Sequence, residues 1–559
     1  MSSCTPAAPT NSEAAPFQSL GKKIFSFPVL LAVLLAGGMF VPLRSFWVDP
    51  DVWWHIKVGA TILSTHHWPT TDPYSFTVFG THWIAYQWLG EVVIAIFANL
   101  WGLRGLLALD VILAAAILFA LYALVTLRCG NSKAAFVVCA LFLPLVYSSL
   151  SLRPQMLAYL FLVLTLVVLE RFRQGHIGAL WFLPPLFLVW VNTHGIFTLG
   201  LFALGVYWAC GLVEIHWGLL DSRCWTTNER VRLELIGLLI LIALVITPYG
   251  TELLLYPLDL AHSQQIMIAN IIEWQPMMFD KSVGKIFLIF VLAFIFAQAT
   301  LRPRWRLEEF VLLLAGIGGA CLHVRLVLIF VPFSAPLFGV IMARWIEPYH
   351  PAKDKYVLNA ALMALVVAAV IGFFPSRADL ESIMEQKWPV RAVAYLRQHP
   401  PPKPMLNSYE YGGYLIYRMS DVSKVFIDGR ADIYVRTGVF VDYLNIARLN
   451  LPAPFLLNAY NIQSVLMGRE ETLVTLLDSS PNWQKIYGDA ISVLYVRTRP
   501  FKLVFSHPLT DRAGQGNFRA SPKETMSFLL PRRGIMSLGV GETYGLDFLH
   551  SVTPCLACR

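Results

Sequence analysis

The sequence predicts a multi-pass α-helical membrane bundle of about eleven transmembrane helices, followed by a C-terminal extracytoplasmic α/β domain. Three observations predict it. Hydrophobic residues make up 57% of the 559-residue chain and charged residues only 14%, against about 25% charged in a soluble domain. The deficit is localised: one apolar run follows another from 24 to 374, whereas 375–499 has the balance of an ordinary globular domain. Lys and Arg gather in short loops between the apolar runs, the distribution that orients helices in a bilayer. Orientation thus accounts for the net charge of +8, and nucleic acid is not an expected partner.

Taken in order, residues 1–23 are rich in Ser, Ala and Pro and are expected to be a disordered cytoplasmic start. Lys22 and Lys23 precede the apolar run 24–41, which is too long for a signal-peptide core and lacks a small-residue cleavage site, so it reads as an uncleaved first span. Further runs lie at 86–100, 106–127, 134–150, 155–170, 177–191, 196–213, 233–247, 286–299, 310–322, 326–342 and 356–374. Several are shorter than the ~20 residues of a bilayer core. The run 86–100 decides the topology, because every later loop changes side if it spans. Arg128 and Lys133, Arg171 and Arg173, Arg223, Arg230 and Arg232, Arg302, Arg304 and Arg306, and Arg344, Lys353 and Lys355 share the cytoplasmic side only if it does not. The run therefore reads as a helix on the outer membrane surface, within a first outer loop 43–104, anchored by Trp83, Trp88 and Trp101. Eleven spans then occupy 24–375, and 376–499 lies outside. The expected location is a bacterial inner (plasma) membrane, with the N-terminus cytoplasmic.

In 376–499 the pattern alternates. Residues 390–398 read as a helix, 404–407, 424–428, 462–467 and 491–496 as short buried strands, and 432–448 and 470–478 as helices between them. Strands alternating with helices predict a small, mostly parallel sheet. The turn after 424–428 carries Asp428, Arg430 and Asp432, candidate ligand-binding residues of the outer domain. Residues 409–414 read as a second, aromatic turn. The stretch 500–559 shows little periodicity and reads as an irregular tail; its Cys555-x-x-Cys558 has no partner pair and suggests no metal or redox role.

With this topology the unusual polar residues all fall on the outer face: Asp49, Asp51 and His55, then Arg153 and Gln155, then His194, Glu273, His323 and Arg325. Ionisable groups at membrane depth are expensive and mark functional sites by default. Each has a plainer reading: Asp49 and Asp51 as caps of a helix starting near Val52, Arg153 as an interface anchor, His194 as a turn residue, Glu273 as a solvated charge, Arg325 as a snorkelling residue. Their convergence on one surface favours a site. A carboxylate pair two residues apart could hold a divalent metal (Mg or Mn) or supply a general base. Arginines suit phosphate, and an apolar groove between helices suits a lipid tail.

These residues resemble the GT-C glycosyltransferases, which use polyprenyl-phosphate sugars and include protein O-mannosyltransferases and the lipid A aminoarabinose transferase. That family carries a catalytic acidic motif in the first outer loop, followed by surface helices before the second span. The resemblance covers 46 to about 374 and implies that Asp49 or Asp51 is catalytic and that Arg153 and Gln155 contact substrate. From the residues themselves, His55, one helical turn after Asp51, is a further catalytic candidate, and His194, Glu273 and Arg325, on the same face, are candidates for the rest of the substrate and phosphate set. The Lys-Pro-Pro of the lipid A enzyme is absent; His82-Trp-Ile-Ala-Tyr-Gln87 stands roughly there. Strings such as Arg153-Pro-Gln155, Asn192-Thr-His194-Gly195 and Ile427-Asp-Gly-Arg-Ala-Asp432 also resemble uncharacterised bacterial members. The implied partners are membrane lipids, a polyprenyl-phosphate sugar donor and a glycan, lipid or protein acceptor. A transporter or flippase would need paired repeats and broken helices with polar residues near the midplane, which the sequence does not show. A non-catalytic assembly protein would leave the polar set without a use.

Overall fold

The computed structural model describes residues 20–45, 49–262, 266, 269–450 and 453–498. The chain is a mostly helical membrane bundle. Its first part consists of α1 (Phe27–Leu43), α2 (Val52–Thr65), α3 (Trp88–Trp101), α4 (Leu103–Cys129), α5 (Ser132–Ser148), α6 (Gln155–Arg173), α7 (Leu183–Val191) and α8 (Phe197–Cys210). Then come α9 (Thr227–Ala243), α10 (Thr251–His262), α11 (Ser282–Leu301), α12 (Leu307–Leu322), α13 (Val327–Met342) and α14 (Tyr356–Gly372). The predicted apolar runs coincide with these helices to within a few residues, except that 177–191 opens with a 3-10 turn at Ile177–Phe182. Among the described residues four helices are long and apolar enough to cross a bilayer alone, α4, α6, α11 and Val324–Met342, or up to five if a bent pair counts as one span; five more apolar helices are shorter.

The bundle is packed around α4, α6 and α13, with α11 on the rim. Phe142 of α5 stacks on Phe290 of α11 at 4.0 Å, and Phe330 and Phe338 of α13 close the same cluster. Helix α6 spans 19 residues, about 28 Å at ~1.5 Å per residue, close to the ~30 Å of a hydrocarbon core. Its two ends differ. At the C-terminal end Glu170 accepts from Arg306 at 2.7 Å, Arg173 pairs with Glu308 at 3.0 Å, and Arg128 pairs with Glu309. Three of the arginines that read as orientation signals are therefore also internal ion-pair partners. The candidate site lies at the other end.

The C-terminal part begins with α15 (Arg377–Lys387) and α16 (Val390–Gln398), the latter as predicted, and continues through α17 (Tyr409–Met419), α18 (Ala431–Thr437), α19 (Val439–Ala447), α20 (Ala453–Ala459) and α21 (Thr472–Ser479). Among the described residues the strands β1 (Ile215–Trp217), β2 (Leu220–Ser222) and β3 (Trp305–Arg306) form a small sheet in the bundle part, and the sheet of the C-terminal part has the order β4 (Met405–Asn407), β5 (Ser464–Gly468), β7 (Ser492–Arg497), β6 (Trp483–Gly488). Four expectations are corrected here. The sheet is not mostly parallel: only β4–β5 is parallel, whereas β5–β7 and β7–β6 are antiparallel, because the hairpin β6–β7 returns directly. Residues 424–428 are not a strand of this sheet. Their backbone instead bridges the first outer loop, Val425 N–H to Tyr74 O at 3.1 Å and Phe76 N–H to Val425 O at 3.0 Å. Residues 409–414 are not a turn but the first turns of α17. The predicted helix 432–448 is two, broken where Gly438 takes φ of +83°. Residues 20–24 are helical, while the rest of the predicted disordered start, the tail from 499 and Cys555 and Cys558 lie outside the described residues.

Helix α2 is the hinge between the two parts. Its Trp53 is buried against Trp388, Tyr414 and Tyr417, with ring centroids 5.8, 5.2 and 5.4 Å away. Its other side packs on α3. The predicted outer loop thus packs against the C-terminal part as well as the bundle, which fixes the position of Asp49 and Asp51 at its start.

Candidate active site

Asp51 stands at the N-cap position of α2, yet its side chain makes no capping bond. The chain turns there because Asp49 Oδ1 accepts the Asp51 N–H at 2.9 Å. Asp49 Oδ2 accepts from Ser151 Oγ at 2.7 Å and from Arg153 Nη2 at 2.8 Å. The same Nη2 lies 3.3 Å from Asp51 Oδ2, and Arg153 Nη1 lies 3.2 Å from Glu273 Oε2. One guanidinium thus joins three carboxylates from two segments.

The two aspartates differ in environment. Burial disfavours the charged form of both. At Asp49 the guanidinium, the Ser151 hydroxyl and the Asp51 amide outweigh burial and hold the carboxyl below its ordinary range. At Asp51 burial wins, reinforced by Asp49 and Glu273 and only partly offset by Arg153, and the carboxyl is pushed up to about 7. One carboxylate is fixed as an anion and its neighbour is poised to exchange a proton near neutral pH, the division of labour expected of an acid–base site.

The pair opens on a cavity of about 770 Å³. Gln155, His194, Glu273 and Arg325 all line it, as does His55, so the structure brings together every residue expected in the bundle part. Arg325 donates from Nη2 to Gln155 Oε1 at 2.8 Å and lies 4.4 Å above the Trp274 ring. Among the described residues no carboxylate pairs with it, so its charge is available to an anion in the cavity. His194 Nδ1 accepts the Ile196 N–H at 3.1 Å, leaving the ring proton on Nε2. Burial, with Arg325 and Arg153 adding, depresses its protonation to about 3, so it is a neutral donor. His55 is buried, with Nδ1 3.1 Å from Glu91 Oε1. Burial, then Arg153, keeps it from protonating, and its partner is Glu91 rather than the adjacent Asp51.

The C-terminal candidates divide. Asp428 is fully buried and bonded to Arg430, which also bonds Asp72 and reaches the wall of the cavity. Asp432 lines the cavity and accepts from Tyr256 Oη at 3.0 Å. Lys387, Tyr409, Glu410 and Tyr443 also line it. Tyr409 and Glu410 fall in the 409–414 stretch that the sequence marks as a polar, aromatic turn able to stack on sugars, whereas Lys387 and Tyr443 come from segments whose patterning signals only helix packing. For a divalent metal, the donors at hand are two carboxylates already facing one guanidinium. Among the described residues no group of three or more His, Cys, Asp or Glu is placed to hold a metal ion. In this structure the pair faces the Arg153 guanidinium.

No protein-family profile matches the chain, and no protein of curated function matches it in sequence. Among solved structures it is similar to ArnT from Cupriavidus metallidurans in the apo state, at 14% identity and TM-score 0.47, covering 87% of this chain and 98% of that one. The same ArnT bound to undecaprenyl phosphate gives 14% identity and TM-score 0.44, over 86% and 98%. The Archaeoglobus fulgidus oligosaccharyltransferase in the apo form gives 13% identity and TM-score 0.44, over 78% of this chain and 69% of that one. ArnT and the oligosaccharyltransferase are GT-C glycosyltransferases.

Proposed function

We propose that this protein is a membrane glycosyltransferase that moves a sugar from a polyprenyl-phosphate donor to an acceptor hydroxyl on the extracytoplasmic face. The observation that carries the reading is the split pair: Asp49 held ionised and Asp51 poised near neutrality, both facing a large cavity that also presents an arginine with no carboxylate partner among the described residues. The acceptor, a glycan, lipid or protein, enters with its hydroxyl at Asp51. Asp51 takes the hydroxyl proton as the oxygen bonds to the anomeric carbon. The bond from that carbon to the phosphate oxygen breaks, and the lipid phosphate leaves with the electron pair. Arg325, with the neutral His194, faces the charge growing on the phosphate, while Arg153 holds Asp49 and Asp51 in register. Charge-assisted bonds to a leaving anion strengthen as the bond breaks, which is where they accelerate transfer. A transporter would place its polar groups near the bilayer midplane; here they sit at helix ends.

In this reading the N-terminus is cytoplasmic, and α2, α3 and residues 376–499 are outside. The decisive experiment is transfer of labelled sugar from a polyprenyl-phosphate donor by purified variants. Losing a general base typically costs 10²–10⁴-fold, so Asp51→Asn should nearly abolish transfer in a folded, membrane-inserted protein. Asp49→Asn should impair it through Arg153. Near-wild-type transfer by both variants would make the pair structural.

A further inference from the structure

The strings at 409–414 and 426–432 play no part in the reaction as written, yet the structure seats both against the acidic corner. Arg430 is the anchor. Its side chain is 1% exposed, and Nη1 lies 2.6 Å from Asp72 Oδ1 in the first outer loop. Its Nε and Nη2 donate to the two oxygens of Asp428 at 2.8 and 2.7 Å, and its guanidinium lies 4.8 Å above the Trp83 ring. A planar fork bonded on both sides has little freedom to shift.

One residue earlier the backbone meets Asp51. A Cβ added to Gly429 would lie 1.7 Å from Asp51 Oδ1 and 2.9 Å from its Cγ. In the neighbouring helix a Cβ on Gly413 would lie 2.5 Å from the Pro50 carbonyl oxygen. Gly429 is not among the residues with positive φ; what requires glycine there is the close approach, not the backbone conformation. Asp51 needs such a wall, because its own bonds are long: 3.2 Å from Trp54 Nε1 and 3.3 Å to Arg153. Asp49 is held by three bonds of 2.9 Å or less.

We propose that the Asp428–Gly429–Arg430 turn is a positioning element for Asp51: Arg430, clamped between Asp428 and Asp72, holds the bare Gly429 backbone flush against the Asp51 carboxylate and fixes its orientation. The inference rests on the reading that Asp51 takes the acceptor proton. A displacement of about 1 Å at a reacting group can cost 10²-fold. Gly429→Ala forces such a displacement without touching the groups that face the phosphate.

The test pairs kinetics with a double-mutant cycle in thermal stability on the full-length protein in detergent. Gly429→Ala should lower kcat ten- to a hundredfold while the donor KM moves less than threefold. It should lower Tm in the wild-type background but not in Asp51→Ala, where truncation opens the space the new methyl needs. If Gly429→Ala alone does not fold, recovery of folding in Asp51→Ala/Gly429→Ala supports the contact. An equal loss in both backgrounds, or a wild-type kcat for Gly429→Ala, overturns the proposal. Should Asp51→Asn itself transfer sugar at the wild-type rate, the proposed reaction fails, while the stability cycle still reports on the contact.

Discussion

Replacing Asp51 by Asn should abolish transfer and, at alkaline pH, make the protein more stable. An unperturbed carboxyl titrates at 3.8, and Asp51 in the fold titrates at about 7. A raised value means that the folded state binds the proton more tightly. The associated stability is therefore complete below pH 3.8 and is lost as pH rises through about 7. Between pH 5 and pH 8 the linkage takes roughly 2–3 kcal/mol from the wild type, less the share screened by water, since the side chain is 18% exposed. The amide of the variant cannot ionise and escapes this loss. A helix cap behaves differently, because its removal costs roughly 0.5–2 kcal/mol and Asn replaces Asp well, with no such dependence on pH near 7. The assay is thermal unfolding of wild type and Asp51→Asn in the same detergent at pH 5 and pH 8. Near-equal Tm at pH 5 and a variant several degrees higher at pH 8 are expected. A variant equal to or below wild type at pH 8 would refute the claim that burial makes the Asp51 anion costly.

Arg153→Lys keeps the charge but loses the fork that spans Asp49, Asp51 and Glu273, so kcat should fall at least tenfold; full activity in both Arg153→Lys and Arg153→Ala would reduce Arg153 to an anchor. Arg325→Ala should raise the KM for the lipid-phosphate donor about 10–100-fold, the worth of a charged hydrogen bond of ~1.5–3 kcal/mol, and an unchanged KM would remove it from the donor site. Because a guanidinium lies against both carboxylates, transfer should survive a strong chelator, and loss of activity restored by Mg or Mn would contradict that arrangement. In a cysteine-free background, restored Cys224 and Ser382→Cys occupy exposed positions; an impermeant thiol reagent applied from outside should label only Ser382→Cys, and labelling of Cys224 would sink the topology.

The helices of the bundle are legible in the sequence because a bilayer imposes one constraint on every span: about twenty apolar residues with the backbone bonded internally. Run and helix agree at 155–170 and α6, and at 326–342 and α13, where composition alone decides. The C-terminal part is legible in element type at 390–398 and 462–467, but not in sheet direction. Strand direction depends on which strands meet, and the β6 hairpin partner, Trp483–Gly488, is exposed along much of its length and carries no clear apolar alternation. The segment 424–428 reads as a buried strand because it is buried, yet its hydrogen bonds go to Tyr74 and Phe76, some 350 residues away, and no local pattern announces a partner at that distance.

The same reason separates the legible parts of the site from the rest. Asp49, Asp51, Arg153, His194, Glu273 and Arg325 stand out in sequence because a charge among apolar runs is conspicuous, and the bundle gathers them at one end of α6. Asp428 and Arg430 are conspicuous too, but in sequence they read as ligand residues because a charged turn after a strand usually faces solvent. The turn carries its charges inward instead, where Asp72 completes the pairing. Breaking such a buried pair costs about 3–5 kcal/mol, whereas the intact pair contributes little net stability, so what it offers is geometry rather than energy. The clamp sets the height of Gly429, and Gly429 is the surface on which the Asp51 carboxylate rests. The residues that look most like a second binding site thus act on the first, and the C-terminal part completes the cavity that the membrane bundle begins.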